Sequence, residues 1–442
     1  MALTGRAALL AVAGALLVLA APADLAAVAF WLVVAVIVLV IAVDLALAGS
    51  VRVLRFERSD DLRVRLGEAA EVTLLVANPG GRRVRGLLRD AWPPSTRPAP
   101  REHEVDIPPG ERRRVATTLR PLRRGDFTAA GVTVRALGPL GVAARQGSHR
   151  VEGRVRVLPP FLSRRHLPAK LARLRAIDGL NPVQIRGQGT EFDSLREYVV
   201  GDDVRSIDWR ATARRADVVV RTWRPERDRR VLIVLDTGRT SAGRVGVDPA
   251  SGDPSGWPRL DWGMDAALLL AALCARAGDR VDFLAYDRAV RAQVSGGGRG
   301  DLLPALVTAM APLQPELVEA DAHGMVAAVL SRLRRRSLVV VLTDLNATAL
   351  DEGLIPVLPQ LSSRHLVLLA AVADPRVAAL AAGRDGPEEV FDAAAAERQG
   401  VERRQVTARL RRHGVEVVDA LPDDLAPALA DAYLNLKAAG RL

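Results

Sequence analysis

Val231-Leu-Ile-Val-Leu235 is a run of five apolar residues that ends at Asp236, and it decides the fold of the second half of the chain. A run of this kind predicts a strand that is buried on both faces. Similar runs follow, and stretches with the helical spacing of apolar residues separate them. This alternation predicts a doubly wound α/β domain with a mostly parallel sheet over residues 231–442. The other predicted strands are Val281-Asp-Phe-Leu-Ala-Tyr286, Leu338-Val-Val-Val-Leu342, His365-Leu-Val-Leu-Leu-Ala-Ala-Val372 and Val415-Glu-Val-Val418.

Polar residues follow two of these strands at the point where each strand ends. Asp236 and Thr240 follow the first strand, and Asp344 follows the strand that ends at Leu342. In an open α/β sheet, ligands bind at the carboxyl ends of the strands, so we expect these three side chains to converge there. Their carboxylate and hydroxyl oxygens would suit Mg²⁺ or Mn²⁺. The alternative is that the two aspartates only cap the helices that follow.

Upstream of this domain, residues 51–158 have the pattern of an antiparallel β-sandwich. Alternating stretches such as Glu71-Val-Thr-Leu-Leu-Val76 and Arg114-Val-Ala-Thr-Thr-Leu119 are separated by turns rich in Gly, Pro and Asn. Short strands at this spacing over about 100 residues are typical of a sandwich. Residues 159–230 are predicted to form a basic connector and a segment dense in charge.

Residues 1–50 contain two apolar runs, 7–21 and 25–48, with a Pro-Ala-Asp turn between them. About 20 apolar residues cross a bilayer, so the second run is long enough and the first is marginal. We predict a transmembrane helical hairpin; the alternative is a cleaved signal peptide followed by one anchor. Arg6 precedes the hairpin, Arg52, Arg55 and Arg58 follow it, and the turn has no basic residue. The positive-inside rule therefore predicts a two-pass protein of the cell membrane with cytoplasmic soluble domains.

The charge of the 442-residue chain is +11 and is unevenly divided. Residues 51–230 contain 38 basic and 22 acidic residues, and residues 231–442 contain 23 and 27. Beside a membrane anchor, we expect the basic part to face anionic lipid. We expect no nucleic-acid partner, because no interleaved aromatic residues or known binding module accompany the charge. Cys274 is the only cysteine, which excludes an intramolecular disulfide. We find no catalytic motif and expect no enzyme.

Residues 191–230 interleave nine carboxylates with ten arginines. Guanidinium–carboxylate pairs are directional, so the segment is predicted to act as a structural latch. In that interpretation Arg205, Asp208 and Trp209 are mostly buried against the α/β domain. A partner-docking face is the second interpretation, and a hydrolase that uses two carboxylates is the third. The acidic residues of the docking face are Glu191, Asp202, Asp203 and Asp208.

The alternating domain, with aspartates at its strand ends, resembles a von Willebrand factor A domain. The metal-ion-dependent adhesion site of that family has Asp-x-Ser-x-Ser after the first strand, and a Thr and an Asp on later loops. Asp236 matches the first position, Thr240 supplies the last hydroxyl and Asp344 matches the later aspartate. Gly238 replaces the first serine, and no threonine clearly matches the middle loop. The resemblance implies a protein-binding domain with a metal ion at its site.

A second resemblance covers nearly the whole chain. The stretch that starts Gly187-Gln-Gly-Thr-Glu-Phe-Asp and continues through Arg205-Ser-Ile-Asp-Trp209 resembles the signature of the bacterial domain of unknown function fifty-eight. Members of that family join a membrane hairpin, a β-rich segment and a von Willebrand A-like domain. They are often encoded beside MoxR-type AAA+ ATPases, so the resemblance implies such an ATPase as a partner. We therefore expect a membrane-anchored protein-binding adaptor, with a structural membrane protein that has no ligand as the alternative.

Overall fold

The computed structural model describes residues 2–59, 61–180, 191–199, 204–215, 217–224, 229–248, 252, 256–296 and 300–442. The chain forms two compact units, Met1–Pro160 and Phe161–Leu442. The predicted segments 1–50 and 51–158 lie in the first unit. The predicted segments 159–230 and 231–442 lie in the second unit, apart from residues 159 and 160.

The first unit contains two long helices followed by short strands. In chain order its elements are β1 (Ala2–Leu3), α1 (Gly5–Ala20), α2 (Ala26–Leu47), β2 (Arg55–Arg58), β3 (Leu62–Arg65), β4 (Ala70–Ala77), β5 (Val84–Ala91), β6 (His103–Ile107), β7 (Arg112–Leu119), β8 (Gly125–Thr128), β9 (Gly131–Leu137), β10 (Ala143–His149) and β11 (Arg154–Leu158).

Three sheets make up the β part of this unit, in the orders β1-β10-β9-β5-β6, β2-β4-β7 and β3-β11-β8. The alternating residues of the first two sheets meet in one apolar core, which includes Leu74, Val76, Leu88, Ile107 and Val134. Two sheets that face each other across such a core form a β-sandwich. One pair departs from the antiparallel prediction, since β11 lies between β3 and β8 and pairs with β3 in parallel.

The two N-terminal helices pack against each other at Gly14, where an added Cβ would overlap Val33. Among the described residues, one helical stretch, Ala26–Val53, is long and apolar enough to cross a membrane, with a mean hydropathy of 3.2. α1 is also apolar but has only 16 residues. Most large apolar side chains of both helices are exposed, as they would be if lipid covered them.

The second unit alternates strands and helices. In chain order its elements are α3 (Leu167–Leu180), β12 (Glu191–Glu197), α4 (Trp209–Arg215), β13 (Val219–Arg224), β14 (Arg230–Asp236), β15 (Arg244–Val245), β16 (Trp257–Pro258), α5 (Arg259–Arg276), β17 (Arg280–Tyr286), β18 (Val290–Val294), α6 (Leu302–Met310), α7 (Ala322–Arg332), β19 (Leu338–Leu342), α8 (Ala347–Ala349), a π-helical turn (Leu350–Leu354), α9 (Ile355–Ser362), β20 (Leu366–Val372), α10 (Pro375–Ala381), α11 (Pro387–Arg412), β21 (Glu416–Ala420) and α12 (Pro422–Ala438).

A six-stranded sheet in the order β18-β17-β14-β19-β20-β21 is the core of this unit. Every neighbouring pair is parallel except β17–β18, which is an antiparallel hairpin. The apolar runs of the sequence are these parallel strands, and β14, β19 and β20 are buried almost without interruption. Continuous burial explains why their sequences show no polar alternation.

Helices cover both faces of the six-stranded sheet. On one face Leu232, Val341 and Leu369 pack with apolar residues of α7, α9 and α11. On the other face α5 packs so closely that an added Cβ at Gly263 would lie 3.1 Å from Cδ1 of Leu235. The second unit is therefore a mixed α/β unit with a mostly parallel sheet between two helical layers.

Candidate functional site

The carboxyl ends of β14 and β19 meet at the centre of the sheet. The two strands are parallel neighbours, and Leu235 pairs with Leu342, so Asp236 lies beside Thr343. After β14 the chain goes to β17 on one side, and it returns to β19 on the other side. This reversal makes a crevice between the ends of β14 and β19, which is where α/β sheets bind ligands.

Asp236 lies at this crevice and is 7 % exposed. Its carboxylate accepts hydrogen bonds from the Thr343 hydroxyl at 2.6 Å, the Gly238 N–H at 2.8 Å and the Thr240 hydroxyl at 3.1 Å. Burial raises the pKa of the Asp236 carboxyl, and the three donors offset only part of that shift. The structure thus brings the predicted Asp236 and Thr240 together and adds Thr343 to them.

Asp344, the third predicted residue, has different partners. Its Oδ1 accepts a hydrogen bond from Arg403 at 3.0 Å and lies 3.5 Å from Nε of Arg259. Arg403 also forms a bidentate pair with Asp419 and donates to the carbonyl of Val372. Asp344 is therefore part of an arginine network that joins the ends of β19, β20 and β21.

The donor set at this crevice does not fit a divalent cation as it stands. Such a cation takes about six oxygen ligands, and both predicted carboxylates already have other partners. Both guanidinium contacts of Asp344 are to its Oδ1, so that oxygen is already occupied by positive charge. Among the described residues, no group of three or more His, Cys, Asp or Glu side chains is placed to hold a metal ion.

A cavity of about 60 Å³ opens beside Asp236. Four carboxylates line it, those of Asp236, Asp344, Glu319 and Asp321. Two of them have arginine partners just outside the wall, since Glu319 pairs with Arg239 at 2.5 Å and Asp344 pairs with Arg403 and Arg259. Apolar residues of β19, α7 and the π-helical turn form the rest of its wall, and they include Met325, Val341, Leu350 and Leu354. The cavity thus combines negative charge with an apolar surface.

The loop that carries Glu319 and Asp321 is fixed to the end of β14. Backbone hydrogen bonds join Arg239 to Val318 at 2.8 Å and Glu316 to Thr237 at 2.8 Å. Asp321 caps α7 by accepting a hydrogen bond from the Gly324 N–H at 3.0 Å. This loop was not predicted from the sequence. Asp321, a residue type that often caps helices, precedes the helical stretch and could have marked the loop.

The family model for "Protein of unknown function DUF58" matches residues 194–417, which is half of the chain. The chain belongs to the DUF58 family. No curated protein matches the chain. The matched residues include the end of β12, the predicted charged segment, and the sheet from β14 into β21.

In this DUF58 chain, the predicted latch residues are only partly buried. Asp208 is half-buried and accepts hydrogen bonds from the backbone of Arg210 and Ala211 and from the Arg221 guanidinium at 2.8 Å. The Ala211 N–H, followed by Arg221, holds the pKa of Asp208 below its ordinary value. Trp209 is 66 % exposed and Arg205 is exposed as well, so the prediction that both are buried was wrong.

The reason is local: Asp208 caps the short helix α4, and Trp209, its first residue, points outward. Arg221, on β13, supplies the ion pair that the latch interpretation required. Asp202 and Asp203 lie outside the described residues. Glu191 is the first residue of β12, and its side chain lies outside the described part as well.

Large apolar side chains are also exposed at the carboxyl edge of the six-stranded sheet, by which we mean the loops and helix turns beyond the carboxyl ends of its parallel strands. Leu317 is 76 % exposed and Phe391 is 74 % exposed. Leu317 lies on the loop before α7, and Phe391 lies in the first turns of α11. Other exposed apolar residues are Val247 and Leu421 on loops, Leu380 on α10 and Val390 on α11.

Proposed function

We propose that this chain is a membrane-anchored adaptor that binds a protein partner at the carboxyl edge of its sheet. The observation that carries the proposal is the combination, on that edge, of an acid-lined cavity with exposed Leu317 and Phe391. Isolated exposed apolar residues are ordinary, but protein interfaces combine an apolar centre with polar groups that fix orientation. The carboxyl edge offers both.

The chemistry of the cavity indicates what the partner contributes. Two of the four carboxylates, those of Asp236 and Asp321, have no arginine partner among the described residues and favour an incoming cation, and the apolar wall suits an aliphatic stem. Lys and Arg side chains combine these two properties. The partner would therefore insert a basic side chain, and no resident metal ion is needed for the contact.

We propose that α1 and α2 form a two-pass hairpin that anchors the chain in the cell membrane. Asp44 would lie at the cytoplasmic end of α2, close to Arg52 and Arg55. Carbonyls of the last turn of α2 accept hydrogen bonds from Arg82 and Arg145. Arginines near the end of a membrane helix favour a cytoplasmic location of that end.

For the partner we propose a MoxR-type AAA+ ATPase, which the family resemblance implies. The strand order and the helices on both faces support a von Willebrand A-like interpretation of the second unit, and domains of that type bind proteins. A purified MoxR-type ATPase from the same organism is therefore the probe for the first binding experiment.

The experiment measures binding of that ATPase to the detergent-extracted full chain. The variant Leu317→Ser/Phe391→Ser removes the two exposed apolar side chains, and we expect it to weaken binding at least tenfold because central apolar anchors dominate interface energy. The control Leu162→Ser/Val401→Ser changes two exposed apolar residues elsewhere in the unit and should bind normally. Equal binding by both variants would refute the proposed docking edge.

The same measurement with chelator, Mg²⁺ or Mn²⁺ tests the metal prediction. Our proposal expects equal affinity in all three conditions, because Asp344 is already paired with Arg403 and Arg259. Loss of binding in chelator that Mg²⁺ restores would show that a cation takes part in the contact and would support the original metal prediction. If the ATPase does not bind at all under any condition, the structural alternative without a ligand takes the place of the adaptor proposal.

A further inference from the structure

The amino edge of the six-stranded sheet, opposite the carboxyl edge, carries mostly basic exposed side chains. We define it by the four loops that lead into β17, β19, β20 and β21, residues 276–280, 333–337, 363–365 and 411–415. These loops contain one carboxylate, that of Asp279, which is buried and accepts a hydrogen bond from the Tyr433 hydroxyl at 2.5 Å. Their exposed basic residues include Arg276, Arg280, Arg334, Arg335, Arg336, Arg364, Arg411 and Arg412.

Seven of these eight arginines differ from others in the unit in having no carboxylate partner among the described residues. Leaving Arg335 aside, none of the eight forms an ion pair with another described residue. At the carboxyl edge, by contrast, Arg376 pairs with Asp374 and Arg403 with Asp344 and Asp419. The four loops thus present a row of exposed arginines, seven of which have no carboxylate partner among the described residues.

Helix ends explain only part of this row. Arg276, Arg411 and Arg412 occupy the last turns of α5 and α11, where cations interact favourably with the helix dipole. Arg280 begins a strand, and Arg334, Arg336 and Arg364 lie in loops beyond the helices. The local stability of a helix does not require these four residues.

The dimensions of the row indicate the shape of its ligand. Neighbouring strands are about 4.8 Å apart, so the loops from β17 to β21, four strand spacings, extend over about 19 Å. A row of this length is too broad for a single phosphate and matches an extended anionic surface. The four loops contain no Phe, Trp or Tyr on which a nucleic-acid base could stack.

From these observations we infer that the amino edge binds the anionic lipid headgroups of a membrane. The inference rests on the proposed membrane anchoring, which keeps the chain at a bilayer. The inferred contact orients the second unit so that the arginine row faces the lipid and the carboxyl edge faces away from it. Each basic residue near an anionic surface strengthens the association about fivefold, and salt screens the effect.

The test uses the full chain in lipid nanodiscs, with a fluorophore on one introduced cysteine. Cys274 is the only natural cysteine and is fully buried, so the introduced residue can be labelled alone. Ser363→Cys places the probe on the amino edge, and Asp385→Cys places it between α10 and α11, beside the carboxyl edge. Quenching by nitroxide-labelled lipid reports which probe approaches the bilayer.

We expect quenching of the Ser363 probe in phosphatidylglycerol nanodiscs, with loss of that quenching in phosphatidylcholine and at about 1 M salt. The Asp385 probe should stay unquenched throughout. Arg334→Gln/Arg335→Gln/Arg336→Gln should weaken the lipid contact about a hundredfold. The matched variant Arg244→Gln/Arg384→Gln/Arg404→Gln, which removes three exposed arginines from other parts of the unit, should keep it.

Two results would overturn the inference: equal quenching in neutral and anionic lipid, or unchanged quenching in the 334–336 variant. A third would reassign the edge to an acidic protein, namely binding of polyglutamate to the edge without any lipid quenching. Co-elution of the chain with the nanodisc reports anchoring separately. A chain that co-elutes but shows no quenching at Ser363 therefore refutes only the lipid-facing edge.

Discussion

Asp44 is the single charged residue of α2, and it is fully buried. Its carboxylate accepts hydrogen bonds from the backbone N–H groups of Leu140, Val142 and Ala143, each at 2.8 Å. A carboxylate with three such donors is well satisfied despite burial. The turn is shaped for this contact, because an added Cβ at Gly138 would overlap the Asp44 carboxylate.

We predict that Asp44→Ala lowers the stability of the first unit by about 3–5 kcal/mol, since it leaves buried N–H groups without acceptors. Thermal unfolding of the detergent-solubilised full chain measures the change. Asp24→Asn, at an exposed aspartate of the turn between α1 and α2, is the control and should unfold like the wild type. Similar unfolding temperatures for both variants would contradict the role of Asp44.

Asp344 provides a second test at the scale of a residue. Asp344→Asn keeps the shape of the side chain but leaves Arg403 and Arg259 with a neutral partner, so we expect a loss of about 1–3 kcal/mol in the free energy of unfolding. Asp385→Asn, at an exposed position, should lose nothing measurable. A variant at Asp344 that is as stable as the wild type would show that the arginine network contributes little.

The sequence predicted that Asp236 and Asp344 follow two different strands of the sheet, because the ends of the buried apolar runs can be located in the sequence. It could not predict the partners of Asp344. Arg403 lies 59 residues downstream on α11, and only the packing of that helix beside β20 and β21 brings its guanidinium to the crevice. Contacts of this kind depend on tertiary structure and leave no local pattern.

At the scale of elements, α5 joins the start of the second unit to the sheet. Asp265 on α5 is buried, and it accepts hydrogen bonds from the Ser163 N–H at 3.1 and 3.2 Å. Burial raises the pKa of Asp265 to about 6, although the Ser163 hydrogen bonds oppose the shift. The folded chain thus holds a proton on Asp265 that the unfolded chain, with an ordinary value of 3.8, releases earlier.

Because the folded-state pKa is the higher one, the contribution of Asp265 to stability falls as the pH rises from about 4 to about 6. Asp265→Asn removes this titration. We expect the stability of the variant relative to the wild type to rise by on the order of 2–3 kcal/mol between pH 4 and pH 7. Unfolding curves across that range measure it, with the exposed Asp301→Asn as control. Parallel pH profiles for Asp265→Asn and the wild type would contradict the assignment.

Trp262 on α5 and Trp209 on α4 differ in how deeply they are buried, and their substitution should affect stability differently. Trp262 on α5 is 4 % exposed, and its indole N–H donates to the Val245 carbonyl at 3.1 Å. We predict that Trp262→Ala costs about 3–5 kcal/mol, whereas Trp209→Ala changes stability by less than about 0.5 kcal/mol. Chemical denaturation of both variants measures the difference. A large loss of stability for Trp209→Ala would contradict this prediction and support the latch interpretation.

The whole molecule shows why elements were easier to predict than sites. Period and run length identify buried strands and apolar helices, and β14 and β19 lie within one residue of their predicted bounds. The acid-lined cavity escaped prediction because its wall comes from β14, β17, β19, α7 and the loop before α7, which only the strand order brings together. The contrast between the two edges of the sheet likewise appears only once the direction of each strand is known.

The central claim is that a protein partner binds the carboxyl edge of the sheet, and backbone hydrogen exchange tests it most directly. The full chain in detergent is compared with and without a saturating MoxR-type ATPase. Our account predicts slower exchange at residues 316–324 and 387–392, which carry the cavity loop and Phe391, and no change at residues 333–337 and 411–415 of the amino edge. Protection confined to the amino edge, or none at the carboxyl edge while the ATPase is bound, would contradict the account.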